Sequence, residues 1–151
     1  MTPESVCGCN PMRRISLILL AIVLFEAGGR AAQSNGYGPE VKSFLDWMRH
    51  EEDELDYLMK HNEIPRREYV RTKTQIAIHR QTVLDLARET GKDCVPELHV
   101  VAASGLDQLI EDGIKAVKGV KRGDIIAEKW RYLGSVHRGE MFYILERLPA
   151  K

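Results

Sequence analysis

The sequence predicts an α+β fold, an N-terminal antiparallel helical hairpin followed by a small β-α-β-β unit. Three observations carry that expectation. Apolar residues recur at three- and four-residue spacings through residues 39–90. Short β-branched and aromatic runs, alternating with polar residues, follow after residue 96. The 151 residues are 44% hydrophobic and 29% charged, enough for one core and too apolar for a disordered chain. Runs of helix followed by runs of strand argue for α+β rather than an alternating α/β sheet.

The chain opens with a segment to be set aside. Arg13-Arg14 precedes the apolar run Ile15–Phe25, and small residues follow at Ala27, Gly28, Gly29, Ala31 and Ala32. Eleven helical residues reach only about 16 Å, short of a hydrocarbon core of ~30 Å. Charge, apolar run and small residues in that order are the layout of a secretory signal peptide, assigned to residues 1–32. The alternative is a membrane anchor through residues 15–27. Met12 makes an equally good start, since Met12-Arg13-Arg14 already supplies the charged region. The mature chain is expected to begin between Arg30 and Gln33 and to be periplasmic or extracellular. It then keeps one cysteine, Cys94, with no internal disulfide partner, so packing must stabilise it.

Residues 33–38 read as a linker, and residues 39–151 as one α+β domain. Pro39 suits the first position of a helix, where its missing N–H is not needed. Val41, Phe44, Leu45, Met48, Leu55, Leu58 and Met59 then mark an amphipathic helix to about His61, acidic in its middle turn from Glu51 to Glu54. Asn62-Glu63-Ile64-Pro65 interrupts the pattern. Tyr69, Ile76, Val83, Leu86 and Ala87 carry a second helix to about Thr90, with Gly91 as its natural stop. Two long helices joined by so short a turn must run antiparallel, giving a hairpin over residues 39–91.

The β-α-β-β unit is placed at residues 96–149. Leu98–Val101 is its first strand. Ser104 and Asp107 have the spacing of a capping box, and Leu106, Leu109, Ile110, Ile114 and Val117 give a third helix one apolar face. Ile125–Leu133 and Met141–Leu148 are strands joined at His137-Arg138-Gly139-Glu140, with Trp130 and Tyr132 on one face and Lys129 and Arg131 on the other.

One local resemblance crosses the helical turn. Leu55, Leu58, His61-Asn62, Ile64, Glu68-Tyr69 and Lys73 resemble the SHOCT module, a short helical hairpin, over about residues 52–76. The pattern departs where Asn62 or Glu63 stands for a preferred glycine and Pro65 stands near a threonine. The resemblance implies a helix-pairing role that supports oligomerisation.

Chemical motifs are few. The 22 basic and 22 acidic residues balance, which removes the whole-chain argument for a nucleic-acid partner. His50 and Glu54 lie one helical turn apart but read as a solvated acidic face, and His79 as an interface histidine; no metal site and no cofactor are predicted. Gly91-Lys92 lacks the remainder of a phosphate loop. Lys115, Lys118, Lys121, Arg122, Lys129, Arg131 and Arg138 gather in the last third, either as a solvated face or as an anion-binding surface. Two functions follow. The first is a non-catalytic protein-interaction or self-associating module, whose surface is the wide first-helix stripe of Phe44, Trp47, Met48 and Leu58. The alternative is a small ligand-binding protein or enzyme, with a site between helices and sheet near Cys94, Glu97 and His99. Its partners would be a second copy or another protein, with no stable membrane span in the mature chain.

Overall fold

The computed structural model describes residues 36–149. The signal peptide assigned to residues 1–32 and the start of the linker lie outside the described residues. The rest is α+β: helices α1 (Pro39–Lys60) and α2 (Arg66–Thr90), then strand β1 (Leu98–Ala102), a 3-10 turn (Ala103–Gln108), a short helix α3 (Ile114–Val117), and strands β2 (Ile125–Ile126), β3 (Trp130–Arg138) and β4 (Glu140–Arg147). The strands form one antiparallel sheet in the order β1-β4-β3-β2. Among the described residues, no helix is long and apolar enough to cross a membrane.

Helix α1 begins without a capping side chain of its own, because Gly38 stands at its N-cap. The exposed N–H groups of its first turn are met from far along the chain. Asp93 accepts from Glu40 N at 3.0 Å and from Val41 N at 2.9 Å, and the Glu40 carboxylate accepts in return from Val95 N at 3.2 Å. A Cβ on residue 38 would collide with the Asp93 carboxyl group, so glycine is required there for approach rather than for conformation. At the other end, Glu63 N donates to Leu58 O and Asn62 N to Met59 O, a Schellman closure with Asn62 at φ 58°. Asparagine thus holds the left-handed position that glycine most often fills. The hairpin is tied beside this turn by Asp56, which accepts from Tyr69 Oη at 2.8 Å and from Lys73 Nζ at 2.7 Å.

The sheet is covered on both faces. On one, Phe142 and Ile144 of β4 and Ala102 of β1 pack against Ile78 of α2. Beyond them Val41, Phe44 and Met48 of α1 meet Val83 and Ala87 of α2 and Leu98 of β1. Two polar contacts fix α2 on the sheet: Gln75 Nε2 donates to Val100 O at 2.9 Å, and Arg71 makes a two-pronged bond to Glu140 at 2.7 and 3.0 Å. On the other face, Trp130, Tyr132 and Leu145 pack under Leu106, Ile110 and Val117 from the connection between β1 and β2.

Two expected elements are shorter than predicted. The third helix, expected from Ser104 to Gly119, is a 3-10 turn and a single α-turn separated where Asp112 and Gly113 take φ of 66° and 44°. Gly113 also lies against the Asp107 carboxyl group, leaving no room for a side chain. No side chain caps the 3-10 turn, so Ser104 and Asp107 form no capping box. The apolar face survives the break: Leu106, Ile110 and Val117 are buried, whereas Ile114 is exposed. The strand expected over Ile125–Leu133 is divided by a turn at Ala127-Glu128, both at positive φ, and its first two residues become β2. The β3–β4 hairpin turns at Gly139, inside the segment expected for it. Cys94, which the sequence leaves without a disulfide partner once residues 1–32 are set aside, is disulfide-bonded in the full chain.

Replacing Asp93 by Ala should lower unfolding free energy by about 1–2 kcal/mol, read from urea denaturation, because it orphans two helical N–H donors. Asn at 93 should restore part of the loss; an Ala variant as stable as the parent would show the cap is not needed. Trp130 is only 6% exposed, with the His99 ring edge-on at 4.8 Å. Trp130→Ala should therefore cost about 3–5 kcal/mol. In a Trp47→Phe background its fluorescence should be blue-shifted and hard to quench; emission like that of free tryptophan would contradict the burial.

Candidate functional site

The four residues expected to form an interaction surface on α1 are not brought together on the outside. Phe44 and Met48 are buried in the contact with α2 and β1, Leu58 is half-buried, and Trp47 is 51% exposed. The expectation thus fails for Phe44 and Met48. Four residues apart, they share the cluster of Leu98, so the sheet edge consumes that half of the stripe. The other half forms a flank of α1. Trp47, Glu51, Glu54 and Leu58 recur at i, i+4, i+7 and i+11, with Tyr57 beside them at 56% exposure. Trp47 leans on Phe44 with ring centroids 6.1 Å apart, and Tyr57 on His61 at 4.2 Å. Two exposed aromatic rings therefore bracket two carboxylates on one side of a helix. Among the described residues, Glu51 and Glu54 take part in no hydrogen bond or ion pair.

A second feature went unrecognised in the sequence. Between α2 and the β3–β4 hairpin lies a groove whose mouth, a cavity of about 510 Å³, is lined by Arg66, Arg67, Val70, Arg71, Thr74, Arg138, Gly139, Glu140 and Phe142. A further cavity of about 640 Å³ continues it along α2 past Thr74 towards Asp85. Arg71 is committed to Glu140, which holds its guanidinium in the charged form. Arg66, Arg67 and Arg138 have no hydrogen bond or ion pair among the described residues. Val70 is 53% exposed and, with Phe142 behind it, gives the groove an apolar floor. The only sequence signal was Arg138 within the basic group of the last third. Arg66 and Arg67 join it because α2 starts where the β3–β4 hairpin ends, a tertiary fact that no local pattern carries.

The residues of the enzymatic alternative are partly assembled. His99 Nε2 lies 3.4 Å from the Glu97 carboxylate, and Arg147 Nη1 donates to the same oxygen at 3.2 Å. The hydrogen bond from His99 holds the Glu97 carboxyl group below its ordinary range, with Arg147 reinforcing it. Glu97 and Arg147 are each more than half exposed, so these are surface pairs that contribute little. Among the described residues, no three His, Cys, Asp or Glu side chains come together as metal ligands. Comparison with protein-family models, with curated proteins and with solved structures finds no match to this chain.

The His79 ring lies tilted against Phe44, centroids 5.2 Å apart, where α2 meets α1. Burial there disfavours the charged ring and lowers its pKa, with a smaller push from His99. As pH falls the unfolded chain takes up this proton first. The stability is complete above the ordinary value of about 6.5 and is lost as pH falls through the lower folded value. Between about pH 7.5 and about pH 5.5, a His79→Leu chain should therefore lose less stability in urea denaturation than the parent. Equal losses in the two chains would show that His79 does not carry the effect.

Proposed function

We propose that this chain is an exported, non-catalytic module that associates with itself through the outer flank of α1. The observation that carries the reading is the pair of aromatic side chains, Trp47 and Tyr57, each more than half exposed on a helix whose Val41, Phe44, Met48 and Leu55 are buried. Trp and Tyr lose little side-chain entropy when docked and dominate the energetics of protein interfaces. The charged, apolar and small-residue order of residues 13–32 supports export, and the SHOCT-like pattern of residues 52–76 is compatible with helix pairing. The glutamate–histidine pair at residues 97 and 99 offers no second function of comparable weight, since its charges are already matched.

Sedimentation mass tests the reading. The unmodified protein should rise above monomer mass with concentration, while Trp47→Ser with Tyr57→Ser should stay monomeric. The melting temperature should be nearly unchanged, because neither ring belongs to the core. Association undiminished by the double substitution would reject the flank, and an unmodified protein that is monomeric at every concentration would reject self-association.

A further inference from the structure

We infer that the receptor for the α1 flank is the arginine groove of a second copy, so that the chain assembles head to tail. The inference rests on the self-association reading and adds the partner surface.

The first argument is the division of charge within the hairpin. Helix α1 carries seven acidic and three basic residues, and α2 six basic and three acidic. Two pairs neutralise the surfaces where the helices meet, Glu52 with Arg80 at 3.1 Å and Asp56 with Lys73 at 2.7 Å. Lys42, Asp53, Lys60 and Glu68 also stay unpaired among the described residues, but two unmatched groups, each of one sign, stand apart from them. Glu51 and Glu54 are on the flank of α1 turned away from α2, and Arg66, Arg67 and Arg138 are around the groove on the far side of α2. Each surface is the complement of the other, yet the short turn at residues 61–65 prevents one copy from bringing its own two surfaces together.

The second argument is chemical. A guanidinium group binds a carboxylate through two parallel N–H donors and also stacks on aromatic faces. The flank offers both ligands in alternation: Trp47, then the two glutamates, then Tyr57. The floor of the groove matches this, since exposed Val70 gives the rings an apolar surface between the cations. Arg71 does not compete, because Glu140 already holds it.

The third argument is length. From Trp47 to Tyr57 the flank spans about 15 Å of helix, and the mouth of the groove from Arg66 to Thr74 about 12 Å. Its continuation along α2 gives the remaining turn somewhere to lie. Because flank and groove are different surfaces, the contact is heterologous. It leaves a free flank at one end and a free groove at the other, so it closes only as a ring or grows as a chain.

Two charge-reversed variants expressed from the full-length gene test this, each first shown to have the helix content and melting temperature of the parent. In one, Glu51→Lys and Glu54→Lys remove the flank; in the other, Arg66→Glu, Arg67→Glu and Arg138→Glu remove the groove. Each alone should be monomeric at concentrations where the parent is more than half associated. An equimolar mixture should associate again, because the unaltered flank then meets the unaltered groove and the reversed flank meets the reversed groove. Association of the parent should weaken as NaCl is raised from about 50 to about 500 mM. A groove variant that associates like the parent, or a mixture that stays monomeric, would overturn the inference. If Trp47→Ser with Tyr57→Ser still abolishes association in either case, the flank reading stands with another receptor. A monomeric parent would overturn both.

Discussion

The Asp93 carboxylate, placed on the first turn of α1, is the contact on which the arrangement of the other elements depends. Helix α1 starts after a glycine and a proline, neither of which can satisfy the N–H groups that follow. A residue more than fifty positions later does so, and Glu40 answers by binding the backbone at Val95. The start of α1 is thereby fastened to the segment leading into β1. With Asp56 closing the opposite end through Tyr69 and Lys73, the two helices are locked in register. That register turns Val41, Phe44 and Met48 towards Leu98 and leaves Trp47 outside.

Periodicity made the helices legible to within a residue or two, because their apolar residues keep helical spacing over five turns or more, across the acidic turn of Glu51–Glu54 in α1. Trp130 and Tyr132 were legible for the same reason at period two. What escaped were the points where backbone conformation overrides side-chain pattern. Asp112-Gly113 takes positive φ inside a sequence whose apolar spacing is helical, so the residues keep their buried face while the helix is lost. Ala127-Glu128 does the same inside an apparent strand, although neither residue type favours that region. At Leu133 a bulge shifts the register, which puts Val136 on the side of Ile144 and Phe142 instead of the side of Trp130. The width of the α1 stripe was visible, but which half the sheet edge would cover depends on where Leu98 comes to rest.

Charge was legible in total and not in distribution. The balanced composition concealed an acidic first helix and a basic second one, and the structure shows that only the facing sides of the two cancel. The groove residues are separated by more than sixty positions, and the salt bridge from Arg71 to Glu140 that forms its back wall joins α2 to the start of β4. Surfaces made this way, from the start of one element and the end of another, have no sequence signature. By contrast the Glu97–His99–Arg147 group looked chemical in the sequence and is a row of matched surface charges in the fold.

The two-residue length of β2 has a consequence for how the sheet meets other chains. Backbone bonds from Gly123 and Asp124 accompany β3 only as far as Tyr132, so its outer margin from Leu133 onward has no strand beside it among the described residues. Such a margin is a template on which a foreign extended segment can add itself, the first step towards fibrils. Here the stretch that would serve as template is bent by the bulge at its start and carries His137 and Arg138 at its end. A flat partner strand cannot follow the bend, and it would have to cover the Arg138 charge at the end of the margin. The shortness of β2 is therefore tolerable because β3 guards its own border.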